Sequence, residues 1–301
     1  MSTAPLLIGI ETGGTKVVAA VAAASAPETI LATTTLPTRG PDETLAGLAA
    51  FVRDPGVDGT VAAVGLASFG PLVVDASSPD YGRLTSTPKL DWEGADVLSG
   101  FADAAPGARL GLVTDVNGAA LGEARWGAGV GVADFAYLTV GTGVGGGLIS
   151  GGSLLAGSGW PEVAHVLPRR HPEDRFDGIC PFHGDCVEGL VSGPAIAARW
   201  GVDGSRLGPD DATANLRLSS YYLAQLVTTL AFVAGVRLAI IGGGVSKTPG
   251  LVAAVEAETT RLMGAPGATG TGGGPVRVVR PGLGDEAGVR GALSLAESLL
   301  H

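Results

Sequence analysis

The sequence predicts an α/β chain made of two similar halves. Short apolar runs typical of buried strands alternate with segments whose apolar residues recur at helical spacing. In each half, one strand enters a glycine-rich turn and continues as a second strand, near residue 13 and again near residue 143. The repeated hairpin favours two α/β units facing each other across a cleft, and 301 residues are enough for two hydrophobic cores.

The first half alternates strands and helices. Buried strands are predicted at 6–10, 17–21, 61–67 and 109–114, and helices at 44–53 and 116–126. A segment rich in Pro, Asp, Ser and Thr at 75–92 is predicted to be a long irregular loop. Long loops in compact domains are often functional, so this loop is a candidate part of a binding site.

The second half repeats the alternation with longer helices. Strands are predicted at 135–140, 148–149, 237–241 and 276–279, and helices near 193–201, 219–235 and 286–300. A loop rich in Gly, Thr and Pro is expected at 264–275. The chain is therefore expected to end with a helix.

Composition and charge exclude several classes of protein. A hydrophobic content of 46% and a charged content of 16% predict a folded chain. The net charge of −10 argues against nucleic-acid binding through a broad basic surface. The N-terminus lacks the basic region of a signal peptide, and no run of about 18 apolar residues is present. The sequence predicts a cytoplasmic protein with no nucleic-acid or membrane partner.

The segment from residue 165 to residue 186 holds both cysteines of the chain and three of its four histidines. Fourteen residues separate His165 from Cys180, and intervals of two residues lead to His183 and then Cys186. Two thiolates and two imidazoles at such spacing suit one tetrahedral zinc ion. Four protein ligands leave no open position, so the predicted zinc is structural rather than catalytic.

Two alternatives to this ligand set are open. His171 could replace one of the two histidines, although it lies beside Pro172 in the middle of the loop. The two cysteines could instead close a small disulfide in a secreted protein. Because the sequence shows no export signal, thiolates that hold a metal in a reducing compartment are favoured.

Carboxylates flank the zinc-ligand segment on both sides. Glu162 comes shortly before its first ligand, and Glu188 follows its last ligand. Either residue could be an ordinary solvated carboxylate. Their position at both ends of a loop held by a metal ion favours contact with a bound small molecule.

Both glycine-rich turns resemble nucleotide-binding motifs without satisfying them. The run Gly13-Gly14-Thr15-Lys16 has Gly-Thr-Lys where a P-loop has Gly-Lys-Ser/Thr, and residues of β type follow instead of a helix. The turn at 141–147 satisfies G-x-G-x-x-G but also continues as a strand, which excludes the dinucleotide fingerprint. A plain hairpin turn is one interpretation. A glycine hairpin can also present backbone N–H groups and a threonine hydroxyl to phosphate oxygens.

Asp115 lies between a predicted strand and a predicted helix. It could be the N-cap of the helix, with a carboxylate that accepts N–H groups of the first turn. It could instead be a general base, because α/β proteins bind ligands at the carboxyl ends of their strands.

Together these motifs resemble the ROK sugar kinases, and among them the zinc-containing bacterial fructokinase branch. The resemblance covers nearly the whole chain. It is carried by two phosphate loops, two sugar-side segments, a catalytic segment, the zinc loop and the turn that follows it, at 9–16, 67–72, 78–92, 114–123, 139–147, 171–190 and 192–196.

The resemblance implies an actin/hexokinase-like fold of two RNase H-like α/β domains with a central cleft and a zinc-binding loop. The N-terminal domain would contain 1–114 and the closing helix 286–301, and the C-terminal domain 115–285 with the zinc loop 165–186. The implied activity is ATP-dependent phosphorylation of a hexose, D-fructose in this branch, to fructose 6-phosphate. Mg²⁺ and a structural Zn²⁺ would be the metal cofactors, and the protein would be a homodimer.

The resemblance also assigns site residues. Asp115 would be the general base that accepts the proton of the attacking sugar hydroxyl. Sugar contacts are expected at Gly70, Pro71, Asp115, Glu162, His165 and Glu188. ATP contacts are expected at Gly13, Gly14, Thr15, Lys16, Thr142, Gly143, Pro194, Gly243, Gly244, Val245, Ser246 and Lys247. Zinc ligands are expected at His165, Cys180, His183 and Cys186. The family usually has Glu-x-Gly-His, and this chain departs from the pattern with Ala164.

Other functions are alternatives to a fructokinase. A ROK hexokinase for mannose or glucose would share the reaction but not the sugar. A non-catalytic, sugar-sensing ROK protein would carry a DNA-binding segment before the first strand, and that strand begins at Leu6. A zinc-scaffold interaction protein would leave the glycine turns and Asp115 unexplained.

Overall fold

The computed structural model of the protein describes residues 4–85, 90–157, 159–264 and 275–301. Two compact units are formed: unit 1 comprises Met1–Gly127 and Asp285–His301, and unit 2 comprises Ala128–Gly284. Residues 86–89 of the expected sugar-side loop lie outside the described residues, as does the expected loop at 264–275 apart from its two end residues.

Unit 1 is built on a five-stranded mixed sheet. Its described strands are β1 (Pro5–Thr12), β2 (Lys16–Ala23), β3 (Ala26–Pro37), β4 (Thr60–Ser68) and β5 (Arg109–Thr114), in the spatial order β3-β2-β1-β4-β5. β1, β2 and β3 pair antiparallel, and β4 and β5 are parallel to β1. Its described helices are α1 (Pro41–Arg53), α2 (Phe101–Ala104), α3 (Asp115–Trp126) and, from the C-terminal part, α8 (Ala287–Ser298).

The strand β1 is apolar from Leu6 to Ile10 because both faces of its sheet are covered. Successive side chains of a strand point to opposite faces. Leu6, Ile8 and Ile10 join a cluster that contains the buried side of α1, whereas Leu7 joins a second cluster with Val289 and other residues of α8. A continuous apolar run is typical of such doubly covered strands.

Helices α3 and α8 pack with their backbones in near contact. A Cβ atom at Gly291 would lie 1.6 Å from the carbonyl oxygen of Gly118, and one at Gly122 would lie 2.4 Å from a carbonyl oxygen of α8. This packing keeps α3 with α8, which also contacts β1 and β4. The domain prediction began the second domain at Asp115, whereas the structure assigns residues 115–127 to unit 1.

Unit 2 is also built on a five-stranded mixed sheet. Its described strands are β6 (Phe135–Val140), β7 (Val144–Ser150), β8 (Ser153–Leu154), β9 (Leu238–Gly242) and β10 (Arg277–Val279), in the order β10-β9-β6-β7-β8. Its described helices are α4 (Val187–Val191), α5 (Gly193–Trp200), α6 (Pro209–Ala234) and α7 (Leu251–Met263). Among the described residues, no helix has both the length and the apolar character needed to cross a membrane.

The two sheets have the same topology. In unit 2, β6 pairs antiparallel with β7 and parallel with β9, as β1 does with β2 and β4 in unit 1. β10 then extends the parallel side as β5 does, and β8 extends the antiparallel side as β3 does. The predicted repeat of a hairpin in two α/β halves is therefore confirmed at the level of strand order.

Candidate active site and metal site

The four predicted metal ligands come together in unit 2. Their ligand atoms all lie within 4.8 Å of one another. The Nδ1 atom of His165 lies 3.8 Å from Cys180 Sγ and 3.6 Å from Cys186 Sγ, and His183 Nδ1 lies 3.7 Å from Cys180 Sγ. A tetrahedral ion bound at typical zinc distances requires an N···S separation of about 3.6 Å. The arrangement therefore fits zinc.

Tight backbone turns bring the two sulfur atoms into position. Cys180 and Gly184 exchange two backbone hydrogen bonds of 3.0 and 2.8 Å. A Cβ atom at Gly178 would lie 2.2 Å from the Gly184 carbonyl oxygen, and one at Gly189 would lie 2.0 Å from the same oxygen. Glycine at these positions lets three stretches of backbone approach each other closely.

The environment of Cys186 favours the thiol unless a cation is bound. Both cysteines are buried and are free of disulfides. Burial, together with the nearby Cys180 and Glu188, raises the pKa of the Cys186 thiol to about 11, against the lowering effect of a backbone hydrogen bond from Gly189. A metal ion would supply the positive charge that a buried thiolate requires.

A buried ionic network holds the predicted zinc loop, residues 165–186 (here the metal loop), against the helices of unit 2. Asp174 accepts a hydrogen bond of 2.6 Å from the Tyr222 hydroxyl on α6 and lies 3.1 Å from Arg199 on α5. Burial by itself would raise the pKa of Asp174, but the hydrogen bonds from Tyr222 and from the Phe176 N–H, and the charges of Arg199 and Arg170, lower it below its ordinary value. The loop is thus fixed to both helices by a carboxylate that stays ionised.

His171, the alternative ligand, belongs to this network and not to the ligand cluster. Its backbone N–H donates to the Tyr222 hydroxyl at 3.2 Å, and its imidazole ring packs edge-on against Tyr221. The Nε2 atom lies 3.5 Å from a guanidinium nitrogen of Arg217. The structure thus groups His165, and not His171, with the two cysteines.

The second glycine turn connects β6 to β7 and is hydrogen-bonded to the segment that follows the metal loop. Gly141 donates its N–H to the Gly143 carbonyl at 2.8 Å, and the Gly141 carbonyl accepts the Gly193 N–H at 2.7 Å. The Oε2 atom of Glu188 accepts the Val144 N–H at 3.0 Å. Glu188 therefore contacts the backbone of this turn, which the sequence reasoning did not anticipate.

The remaining predicted nucleotide residues of unit 2 lie beside this turn. Gly243 has a positive φ of +84°, and a Cβ atom there would lie 2.4 Å from the Val140 carbonyl oxygen. Only glycine suits such a conformation at such a distance. The Ser246 hydroxyl donates to the Gly243 carbonyl at 2.7 Å, which fixes the short helical turn Val245–Lys247. The predicted residue Pro194 lies in the first turn of α5, directly after Gly193.

The first glycine turn connects β1 to β2 in unit 1. The Gly13 N–H donates to the Lys16 carbonyl at 3.0 Å, as in a hairpin. Thr38 supports the turn: its hydroxyl donates to the Gly13 carbonyl at 2.7 Å, and its N–H donates to the Thr15 carbonyl at 3.0 Å. Gly14, Thr15 and Lys16 are exposed, so their polar groups are open to a ligand.

The predicted sugar-side residues Gly70 and Pro71 directly follow β4. The carboxyl end of β4 is fixed by a buried hydrogen bond of 2.9 Å between Thr12 and Ser68. The Pro71 carbonyl accepts the Thr85 N–H at 2.8 Å, and Gly70 and Pro71 are joined by a cis peptide bond.

Asp115 is the first residue of α3, and the N-cap of this helix is Thr114. The Thr114 hydroxyl accepts the Asn117 N–H at 3.3 Å. Asp115 is half-buried, and its Oδ1 atom accepts the adjacent Val116 N–H at 2.8 Å. The N-cap position expected for Asp115 therefore belongs to Thr114, although the Asp115 carboxylate also accepts an N–H of the first turn. The general-base role of this carboxylate stays a prediction.

A second carboxyl group, that of Glu11, interacts with Asp115 in unit 1. Burial and, as a smaller cause, the negative charge of Asp115 raise its pKa to about 7. The group lies against α8, where a Cβ atom at Gly288 would be 2.3 Å from the Glu11 carboxyl carbon. From the sequence, Glu11 was placed only in the first glycine turn and was given no role in the site. The available signal was an acidic residue at the end of an otherwise apolar strand.

The profile of the ROK family matches residues 7–298, and the chain belongs to this family. The fructokinase of Zymomonas mobilis is 41% identical over 293 residues, which are 95% of each chain. The ROK hexokinase of Thermus thermophilus superimposes with a TM-score of 0.78 at 26% identity, over 98% of this chain and 99% of that one. A ROK glucokinase of Streptomyces griseus, solved with glucose and AMPPNP, gives a TM-score of 0.71 at 26% identity over 97% and 99%. The family and the fold class expected from the motifs are confirmed.

Proposed function

We propose that the protein is an ATP-dependent fructokinase that phosphorylates D-fructose at O6. The observation that carries the proposal is the 41% identity to a fructokinase over 95% of the chain. Two glycine turns with the same strand topology and an acidic residue at the carboxyl end of β5 support the reaction type. This end of a parallel strand is where α/β proteins bind ligands.

Asp115 is proposed as the general base. It accepts the proton of the attacking hydroxyl as the phosphoryl group is transferred, a role that requires an ionised carboxylate. Asp115 begins α3 directly after the carboxyl end of β5, the end of a parallel strand at which α/β proteins bind ligands. Phosphoryl transfer otherwise depends mainly on positioning and charge stabilisation, for which the chain supplies backbone N–H groups and threonine hydroxyls.

The glycine turns are proposed to hold the phosphates of ATP. In unit 1 these groups are Gly13, Gly14, Thr15 and Lys16, and in unit 2 they are Thr142 and Gly143. The adenosine end is proposed to lie near Pro194 and the run Gly243, Gly244, Val245, Ser246 and Lys247. Two lysines in these segments do not match the charge of a triphosphate, so we propose that ATP is used as its Mg²⁺ complex, in which the metal ion neutralises phosphate charge.

The Cys/His cluster is proposed to hold a structural zinc ion. The ligand atoms of His165, Cys180, His183 and Cys186 have the chemistry and separations that zinc requires. His165 faces the sulfur atoms with Nδ1, so its Nε2–H remains to donate to a sugar hydroxyl. Sugar contacts are also proposed for Glu162, Glu188, Gly70 and Pro71.

The identity of the preferred sugar is the part of the proposal with a strong alternative. A hexokinase for mannose or glucose would use the same reaction, and the departure at Ala164 lies next to the proposed sugar ligand His165. The Ala164 side chain is buried in the core of unit 2, so its methyl group acts on the backbone of the turn Val163–His165. A coupled assay of ADP production with fructose, mannose, glucose and N-acetylated hexosamines distinguishes these substrates. A kcat/KM highest for fructose is expected, and a higher value for any other hexose would overturn the assignment.

The reaction type is tested with Asp115→Asn. We expect kcat to fall by about 10²–10⁴-fold, because the proton acceptor is lost while the shape is kept. Circular dichroism and zinc content should match the wild type, since Asp115 lies in unit 1 and the metal ligands lie in unit 2. Near-normal turnover in the variant would refute the general-base role. The proposed homodimer is tested separately by light scattering, which should give twice the 29.7 kDa chain mass.

A further inference from the structure

The segment that follows the metal ligands is tied to the second glycine turn at two points. Cys186 caps the N-terminus of α4, and Glu188 lies in the first turn of this helix. The Oε2 atom of Glu188 accepts the Val144 N–H at 3.0 Å. Beyond the other end of α4, the Gly193 N–H donates to the Gly141 carbonyl at 2.7 Å. The short helix therefore connects the metal loop to both ends of the turn.

The turn is shaped to receive this carboxylate. A Cβ atom at Gly143 would lie 2.8 Å from Glu188 Oε2, so a side chain at this position would displace the carboxylate. The contact joins a side-chain oxygen to a backbone N–H inside the turn, so the position of this side chain and the conformation of the turn depend on each other. With Gly141 and Val144 fixed, the backbone of Thr142 and Gly143 between them is held in one conformation.

Backbone contacts join α4 directly to the metal loop. The Val187 N–H donates to the Val166 carbonyl at 3.0 Å, and the Leu190 N–H donates to the Cys186 carbonyl at 3.1 Å. A Cβ atom at Gly189 would lie 2.9 Å from the Cys180 nitrogen, so the helix also packs directly on the turn that carries this ligand. A change at the ligand cluster is therefore transmitted to α4 and its first-turn carboxylate.

We infer that Glu188 is a positioning residue for the nucleotide. It sets the second glycine turn for phosphate binding and links the turn to the metal loop, in addition to any contact with the sugar. The inference rests on the proposed function, since it requires that the turn bind the phosphates of ATP.

The test measures AMPPNP affinity by calorimetry in the absence of sugar. Glu188→Ala should weaken binding by on the order of ten-fold, which is the upper end of the usual net contribution of one hydrogen bond. Glu188→Gln should stay close to the wild type because its amide oxygen can still accept the Val144 N–H. Glu188→Asp should be weakened, because its carboxylate is one methylene shorter and falls short of the turn. Glu162→Ala is the matched control: this second proposed sugar contact should leave AMPPNP affinity unchanged.

The link to the metal loop is tested by removing the metal from the wild type and from Glu188→Ala. Metal content is measured directly, and AMPPNP affinity is measured before and after chelation. Chelation should weaken binding several-fold in the wild type and have little further effect in the variant, since coupled effects are not additive. Equal fold losses in the two proteins, or no loss in the wild type, would overturn the link.

The outcomes separate this inference from the proposed function. If the wild type fails to bind AMPPNP, the kinase assignment falls and the inference falls with it. If the wild type binds and Glu188→Ala binds equally well, only the positioning role is refuted. Circular dichroism of each variant distinguishes lost positioning from lost folding, and the charge-conserving Glu188→Asp provides the result if the alanine variant does not fold.

Discussion

Replacing Glu11 by Gln should make the protein more stable at neutral and alkaline pH. The pKa of Glu11 is raised from 4.5 to about 7 mainly by burial and also by the charges of Asp115 and Asp285, against the lowering effects of Lys16 and the Val289 N–H. A folded state with the higher pKa binds the proton more tightly than the unfolded chain does. The stability that Glu11 contributes is therefore complete below about pH 4.5 and is lost as the pH rises through about 7.

The size of this effect follows from the two pKa values. The interval from 4.5 to about 7 corresponds to a cost of about 3 kcal/mol once the carboxylate must ionise inside the fold. Between about pH 5 and about pH 8 the wild type should lose about 2.5 kcal/mol relative to the glutamine variant. Glutamine has the same length and keeps an oxygen for the Val289 N–H, so the comparison removes the charge and little else.

The measurement is urea unfolding of both proteins across this pH range, followed by a probe in unit 1. The difference between the two free energies of unfolding is the relevant quantity, because titration of the metal ligands affects both proteins equally. The same substitution in an Asp115→Asn background should give a smaller difference, since the neighbouring charge that raises the Glu11 pKa is gone. A difference that does not change between about pH 5 and about pH 8 would refute the reasoning.

Three further predictions follow from the packing and the metal loop. Gly291→Ala should destabilise unit 1 by about 3 kcal/mol or more, because the added Cβ would lie 1.6 Å from the Gly118 carbonyl oxygen. Gly40→Ala, at a position with no atom within 4 Å of the added Cβ, is its control, and similar unfolding midpoints for the two would contradict the packing argument. Tyr222→Phe should cost about 1–3 kcal/mol through the lost hydrogen bond to Asp174, whereas Tyr221→Phe should not; equal costs would rule out the network as the cause. Purified protein should contain one zinc ion per chain, and chelation should lower the melting temperature by several degrees. A zinc content far below one per chain would remove the ligand assignment.

The central strands were predictable from sequence because parallel strands covered on both faces are continuous apolar runs. The run at 6–10 corresponds to β1, and 135–140 is β6. The strand β3 was missed because it has no continuous apolar run: its residues are mostly half-buried or exposed, and three consecutive threonines lie in its second half. Helix α6 begins ten residues before the predicted 219, because its first turns are polar and largely exposed.

In the candidate site, contacts between residues close in sequence were predictable, whereas contacts between distant segments were not. The metal ligands lie close in sequence, so their spacing alone predicted that they converge. The contact of Glu188 with Val144 spans 44 residues, and the burial of Glu11 depends on a helix more than 270 residues later. Such contacts arise from packing between segments that are distant in sequence, so no local sequence pattern predicts them. The family resemblance named the residues, whereas the structure supplied what each one contacts.

The close packing of α3 on α8 has a consequence for the order in which the protein can fold. The whole of unit 2 lies between these two helices in the sequence, so β1, β4 and α3 emerge from the ribosome long before the helix that covers them. Unit 2 is continuous in sequence and can fold as soon as it is synthesised. Until α8 arrives, the apolar face of the unit 1 sheet around Leu7 stays uncovered and the helix that begins with Asp115 lacks its main neighbour. The proposed catalytic residue is therefore among the last parts of the protein to become ordered during synthesis, and this interval is when a chaperone would have most to protect.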